Sequence, residues 1–185
     1  MTTEFNTQPD LIGEVLRLRP MREVDFEPLF AAASDPVIWA GHPATTRYQR
    51  EVFQPYFNML LDLGGTLVII DTTNNKIIGC SRYYAAPDRP DSMSIGFTFL
   101  NNAYWGGATN FNVKQLMHDH VFETYPEVWF HIAPDNIRSQ KATARLGAEY
   151  VYDAMLDLSG SGAANTQCFR LTKQAWDKTC AARRS

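Results

Sequence analysis

The chain has few cysteines and no excess of positive charge, and these two shortages exclude several classes of protein. Cys80, Cys168 and Cys180 are odd in number and far apart, so neither a disulfide framework nor a paired zinc-ligand motif is present. The formal net charge of −3 lacks the basic character that phosphate-backbone binding requires. We therefore expect reduced thiols, assign no metal and expect no nucleic-acid partner.

Long hydrophobic runs are also missing. No apolar stretch of the sequence approaches the ~20 residues of a membrane-spanning helix. The first fifteen residues carry Glu4, Asp10 and Glu14 and lack the apolar core of a signal peptide. The sequence thus predicts a cytoplasmic protein with no membrane partner.

Short apolar runs alternate with segments of helical periodicity. The 185 residues, 45% of them hydrophobic, suffice for one domain over residues 1–185, with its core at about 14–175. The predicted strands are residues 15–19, 66–71, 76–84, 92–100, 128–133, 149–158 and 166–171. The main predicted helices are residues 22–33, 50–63, 111–125 and 173–182. This order predicts an α+β fold with a mixed sheet of about seven strands.

Two adjacent glycines stand between a predicted strand and a predicted helix. Gly106 and Gly107 lack Cβ atoms, so the backbone can turn sharply there and approach a ligand. The free amides and partial positive charge at the start of a helix suit a phosphate, although an ordinary turn is the alternative. The helix itself is predicted to bury a stripe containing Val113 and Met117 and to turn Lys114 outward.

A second segment, Pro134-Asp135-Asn136-Ile137-Arg138-Ser139, follows the strand at 128–133 and leads to Arg145-Leu146-Gly147-Ala148. Together the two segments resemble the GNAT superfamily of acetyl-CoA-dependent N-acetyltransferases. The first is similar to that family's pyrophosphate loop, and the second to its N-x-x-S/A helix. The likeness begins at Leu16-Arg17-Leu18-Arg19-Pro20 and is closest to the branch that includes the N-terminal acetyltransferases of ribosomal proteins.

The resemblance implies a splayed sheet, with the pantetheine of acetyl-CoA beside the strand that precedes the glycine turn. Gly96 in that strand indicates either a bulge at the start of the splay or space for packing. For Asn136 the alternative to cofactor binding is a helix cap. The implied cofactor-binding residues are Phe97, Thr98, Phe99, Leu100, Trp105, Gly106, Gly107, Ala108, Thr109, Asn110, Asn136 and Ser139.

Two side chains that many family members use for proton transfer are missing. Met93-Ser94-Ile95 contains no Glu, and Thr143 stands where a Tyr is usual. The resemblance therefore implies that the Ser139 hydroxyl acts on the leaving thiol. The alternative is that this hydroxyl hydrogen-bonds the backbone of its own helix. His131 is the candidate general base, with a structural histidine as the alternative.

The expected function is N-acetylation by direct transfer from acetyl-CoA to a primary amine of a small molecule or protein N-terminus. A noncatalytic acyl-CoA-binding or sensing module is the alternative, and a structural domain without cofactor is a third hypothesis. The expected partners are acetyl-CoA and the amine acceptor, and a homodimer is left open. The side chains expected near the acceptor are Trp39, Tyr83, Tyr84, Ser94 and His131.

Overall fold

The computed structural model describes residues 5–184, so Glu4 lies outside the described part of the chain. These residues form an eight-stranded sheet in the order β1-β2-β3-β4-β5-β6-β8-β7. The strands are β1 (Leu11–Ile12), β2 (Leu16–Pro20), β3 (Thr66–Asp71), β4 (Lys76–Ala86), β5 (Arg89–Leu100), β6 (Glu127–Ile132), β7 (Glu149–Leu156) and β8 (Ala164–Thr172). The helices are α1 (Phe26–Ala33), α2 (Pro36–Trp39), α3 (Arg50–Leu63), α4 (Thr109–Phe122), α5 (Ile137–Ala144) and α6 (Lys173–Arg184), with short 3-10 turns at Glu23–Asp25 and Asn102–Tyr104.

The sheet is antiparallel except where β5 meets β6. The prediction of an α+β fold with a mixed sheet is therefore confirmed. The eighth strand is β1, whose two residues are too few to show a periodicity in the sequence. The turn-forming Thr72-Thr73-Asn74-Asn75 predicts a hairpin between β3 and β4, and it is present. Asp71 accepts the Thr73 amide there, and Asn75 takes the left-handed conformation with φ 57°.

Helices cover the sheet on two faces, and every residue of β3 is buried as a result. The α4 face, named after its main helix, packs Leu18, Ile69 and Met117 together with Trp176 from α6. The α3 face packs Phe53 and Leu60 of α3 against residues such as Val68 and Phe99, with α1 and α2 alongside. The two faces are therefore chemically separate surfaces of one sheet.

Two proline-containing segments lie at the start of regular elements. Asp35-Pro36 begins α2, because the Asp35 carboxylate accepts the Val37 amide at 2.9 Å and proline fits the first helical position. The two prolines Pro87 and Pro90 predict a loop before the strand at 92–100, but the segment is a tight turn. Pro90 lies inside β5, directly after the residue that pairs with Ala86. Only the register of the hairpin reveals this.

No helix among residues 5–184 combines the length and apolar character needed to cross a bilayer.

Candidate active site

The centre of the sheet opens between β5 and β6. These parallel strands pair only at Met93–Val128 and Ser94–Trp129, although β5 continues to Leu100. Beyond these two pairs the strands diverge and leave a gap at the middle of the sheet. The splay implied by the family resemblance is therefore present in this chain.

A bulge in β5 accompanies the divergence. Gly96 pairs with Arg82 and Phe99 with Cys80, so two residues of β5 face one residue of β4. Phe97, within the bulge, takes a left-handed conformation with φ 53°, which is unusual for a bulky side chain. Gly96 also provides packing space, since a Cβ there would lie 3.0 Å from the Tyr84 ring. Both sequence interpretations of Gly96 thus apply to the same strand segment.

The four residues expected beside pantetheine differ in their surroundings. Phe99 and Leu100 have buried side chains that belong to the two cores. Phe97 is half-buried against Tyr84, and Thr98 is exposed. Of the four, Phe97 and Thr98 therefore present the more accessible side chains at the gap.

The glycine turn leads into α4 as an open, uncapped helix start. Gly106 has φ 77°, and a Cβ placed on Gly106 or Gly107 would meet nothing within 4 Å. Ala108 occupies the N-cap position, where no side chain accepts a helix amide. The amides of the first turn of α4, from Thr109 and Asn110 onward, are thus available to a ligand. Their partial positive charge suits the pyrophosphate of a coenzyme.

Trp105 connects this turn to two other elements. Its indole N–H donates to the Leu100 carbonyl at 3.0 Å, and the Arg138 guanidinium stacks over its ring at 4.6 Å. Arg138, on α5, also donates to the Ile38 carbonyl of α2 at 2.6 Å. The glycine turn, α5 and α2 are therefore held together at one end of the gap.

Asn136 is the N-cap of α5. Its buried side-chain oxygen accepts the Ser139 amide at 3.2 Å, so the helix-cap alternative is present in the structure. The Asn136 side-chain NH2 group remains for a further partner. The Ser139 hydroxyl has no hydrogen-bond partner among residues 5–184, so the bond to its own helix that the sequence allowed is not formed.

The sequence predicts that Lys114 is turned outward on α4, but its side chain is buried, so this prediction is wrong. It lies one turn before the buried pair Met117 and His118 on α4. Its ammonium donates to the Thr98 hydroxyl at 3.0 Å, and burial lowers its pKa to about 7. The spacing of 3 and 4 residues to Met117 and His118 is the signal that would have revealed it.

His131 lies on β6, where its ring packs against that of Tyr84 with 5.7 Å between the ring centres. Its Nδ1 lies 3.0 Å from the Tyr84 hydroxyl, and its Nε2 lies 4.0 Å from the Asp88 carboxylate without a hydrogen bond. The imidazole is fully enclosed, and burial lowers its pKa despite the opposing effect of Asp88. The ring is therefore neutral near pH 7 and is able to accept a proton.

One group of side chains among residues 5–184 has the geometry to ligate a metal ion. Ligand atoms of Asp88, His131 and Cys168 lie within 4.8 Å of one another. Tyr152 already donates to Asp88 at 2.5 Å, and burial raises the pKa of the Cys168 thiol to about 11. Since thiolate is the ligand form of cysteine, this pKa opposes metal binding in the present arrangement.

The other side chains expected near the acceptor are separated by the sheet. Tyr83 points to the α4 face, where its hydroxyl donates to the Met117 carbonyl at 2.9 Å. Trp39 is buried on the α3 face and donates to the Ala33 carbonyl. Ser94 is fully buried, and its hydroxyl has no partner within residues 5–184. Of this set, Tyr84 and His131 are brought together.

Comparisons with known proteins agree with this geometry. The model of the acetyltransferase (GNAT) domain matches residues 16–149. No curated protein sequence matches the chain. A GCN5-related N-acetyltransferase from Brucella melitensis superposes with a TM-score of 0.76 at 17% identity, covering 96% of this chain and 85% of that one.

Two further solved structures have the same fold. A GNAT-family acetyltransferase from Bacillus anthracis gives a TM-score of 0.68 at 14% identity over 90% of this chain and 99% of that one. Mycobacterium smegmatis RimJ, solved in complex with CoA-disulfide, gives a TM-score of 0.65 at 18% identity, covering 96% of this chain and 97% of that one. At these identities the likeness concerns the fold, whereas the family match runs from the start of β2 to the start of β7. Because that match covers most of the sequence, the chain belongs to the GNAT family of acetyltransferases.

Proposed function

We propose that the protein is an acetyl-CoA-dependent N-acetyltransferase that transfers the acetyl group directly to a primary amine of a small molecule or protein N-terminus. The observation that carries this proposal is the uncapped amide turn at the start of α4, located beside the gap between β5 and β6. A turn of this kind binds phosphate, and the gap can admit an extended chain such as pantetheine.

Acetyl-CoA would be held mainly by main-chain groups. The amides from Gly106 to Asn110 would bind the pyrophosphate, and the β5 segment from Phe97 to Leu100 would border the pantetheine. Asn136 would donate its free NH2 group to a pantetheine carbonyl while its oxygen continues to cap α5. Holding both substrates in one geometry supplies much of the rate in such a reaction.

The transfer needs two proton movements. The acceptor ammonium must lose a proton before its nitrogen attacks the thioester carbonyl carbon, and the departing CoA thiolate must gain one as the carbon–sulfur bond breaks. We assign the first to His131, reached through the Tyr84 hydroxyl that lies 3.0 Å from Nδ1. We assign the second to Ser139, whose hydroxyl has no protein partner among the described residues and would pass to the sulfur the proton that the attacking nitrogen loses on becoming an amide.

Three finer assignments belong to the same proposal. The N-x-x-S sequence from Asn136 to Ser139 supports a place near the branch that acetylates ribosomal protein N-termini. The buried thiols of Cys80 and Cys168 support action in the reducing cytoplasm. All eight strands belong to one sheet, which supports a single acetyltransferase domain with its core at about residues 14–175.

The direct test is acetyl-CoA turnover against a panel of primary amines, followed by mass spectrometry of the acetylated product. We expect N-acetylation of at least one amine with release of free CoA. The noncatalytic alternative, supported by the absence of Glu near Ser94 and of Tyr at Thr143, predicts acetyl-CoA binding in calorimetry without turnover.

Ser139→Ala tests the proposed thiol role. If the hydroxyl acts mainly in the transition state, kcat and kcat/KM should fall together by ~10²–10⁴-fold while acetyl-CoA affinity is unchanged. Ser139→Thr keeps a hydroxyl and is the matched control, expected to retain more activity. Turnover of the alanine variant within about threefold of the unmodified protein, well below the range of a general acid, would refute the assignment.

A further inference from the structure

Arg47 is a half-buried cation that no carboxylate of the described residues neutralises. It lies between α2 and α3, with its guanidinium 3.8 Å above the Tyr56 ring and 5.2 Å from the Trp39 ring. Among residues 5–184 its guanidinium forms no ion pair and no hydrogen bond, whereas that of Arg50, three residues later, makes a two-bond pair with Glu27. Its five N–H donors are therefore free for a ligand.

The position of Arg47 connects it to the gap. Trp39 packs against Phe99 at 5.3 Å, and Phe99 follows the bulge at the point where β5 has left β6. Cys80, the strand partner of Phe99, donates its thiol to the Phe97 carbonyl within the bulge. Arg47 therefore lies on the α3 face beside the bulge, near enough to the Cys80 thiol for its charge to act on the pKa of that thiol.

A second cation faces the same region. Arg138 on α5 reaches α2 through the Ile38 carbonyl and is adjacent in sequence to Ser139. His42 lies near both guanidinium groups: burial, Arg47 and Arg138 together lower its pKa to about 4, against a weaker opposing effect of Asp135. His42 is thus neutral at physiological pH, while the two arginines make this end of the gap electropositive in a protein of net charge −3.

We propose that the acceptor amine carries a carboxylate that the Arg47 guanidinium binds. This inference rests on the proposed N-acetyltransferase function and names its substrate class. A guanidinium fixed over aromatic rings is oriented to bind a planar carboxylate with two parallel hydrogen bonds. The same cations repel acceptors with several positive charges, so polyamines and aminoglycoside-like amines are disfavoured.

The test uses matched acceptor pairs in steady-state kinetics with acetyl-CoA. Each L-amino acid is compared with its own carboxamide, and spermidine, phosphoethanolamine and peptides with an N-terminal Asp or Glu complete the panel. We expect free acids to exceed their carboxamides in kcat/KM by roughly 10–100-fold, the range of one charge-assisted hydrogen bond. Preference for the acidic peptides over free amino acids would identify a protein N-terminus as the source of the carboxylate.

Arg47→Gln should remove this preference by raising KM for the acid, while the carboxamide and acetyl-CoA affinity stay unchanged. Arg50→Gln is the matched control, because it removes an arginine that already has a carboxylate partner. Equal use of acids and carboxamides, an equal loss for both in Arg47→Gln, or preference for spermidine or phosphoethanolamine would overturn the inference.

Calorimetry separates this inference from the proposed reaction. If no amine is turned over, free amino acids and their carboxamides are titrated into the CoA-saturated protein and into Arg47→Gln. If only the free acid binds, and only when Arg47 is present, the carboxylate site is supported while the proposed transferase activity is contradicted. Absence of that difference would refute the carboxylate site as well.

Discussion

Lys114 is the residue whose surroundings differ most from those of an ordinary lysine. Its ammonium is enclosed between β5 and β6 with one neutral partner, the Thr98 hydroxyl, and lies 6.0 Å from the centre of the Phe130 ring. No carboxylate among the described residues offsets the cost of removing this charge from water. The buried charge therefore destabilises the fold at neutral and lower pH.

Stability should depend on pH in a direction set by this residue. Burial lowers the folded pKa of Lys114 to about 7, below the value near 10 that an unfolded lysine has. Between these two values the unfolded chain binds the extra proton, so folding stability rises with pH across that window and the cost is complete below it. Lys114→Met should accordingly be more stable than the unmodified protein at pH 6, by up to a few kcal/mol, with the advantage shrinking toward pH 10.

Chemical denaturation at pH 6, 8 and 10 measures this difference. Lys178→Met is the control, since it removes an exposed lysine from α6 and leaves the buried ammonium in place. A stability difference between Lys114→Met and the unmodified protein that stays constant across the three pH values would contradict the prediction.

Single residues of the site differ in how far the sequence could predict them. Asn136 as a cap follows from a local rule, because the helix amide it accepts is three residues away. The pairing of Tyr84 with His131 joins residues 47 positions apart and depends on the missing Cβ of Gly96, so no local pattern contains it. Arg47 was missed for the same reason: only the fold shows that it has no carboxylate partner in the described part of the chain.

At the scale of elements, the start of α4 is the part of the site that the sequence described most completely. The strand, glycine turn and helix follow one another along the chain, so their geometry is local. The turn nonetheless binds a phosphate only if the gap between β5 and β6 lies beside it, which depends on the order of strands distant in sequence. The phosphate-binding role therefore needs a test of its own.

Gly107→Glu is that test. A Cβ at this position would meet nothing within 4 Å and the backbone is not left-handed, so the fold should be retained. The new carboxylate would stand beside the coenzyme phosphates, where like-charge contact costs several kcal/mol, so CoA affinity in calorimetry should fall by at least roughly 100-fold.

Gly41→Glu is the matched control for this change. Gly41 also has open space around its Cβ position and an ordinary φ, but it lies in the loop after α2. Its CoA affinity should equal that of the unmodified protein. If a folded Gly107→Glu protein binds CoA equally well, the phosphates are held elsewhere.

At the scale of the whole molecule, acetyl-CoA would contact helices and strands that few hydrogen bonds of the sheet connect to one another. β5 and β6 share only two residue pairs, and α4 and α5 each begin at the edge of the gap. A ligand that binds the folded state alone stabilises it by about 2.7 kcal/mol at a concentration of 100 times Kd. For a chain of this length that corresponds to a rise in Tm of roughly 5–10 °C.

Differential scanning fluorimetry with acetyl-CoA measures this shift. Gly107→Glu should show little or none of it at the same concentration, which excludes a nonspecific effect of the coenzyme. An equal rise in both proteins would place the binding away from the glycine turn, and no rise in the unmodified protein would contradict acetyl-CoA binding at that concentration.

The sequence by itself determined the features that depend on neighbours along the chain. The helices α1, α3, α4 and α6, most strands and the turn at Gly106–Gly107 follow from periodicity and backbone rules within a few residues, and the cap at Asn136 is one of two roles that such rules allow. Tertiary structure decided the gap between β5 and β6, the burial of Lys114, the contact of Tyr84 with His131 and the unpaired state of Arg47. These four depend on which distant segments pack together, and the free energy of that packing comes from burying two apolar faces of the sheet at once.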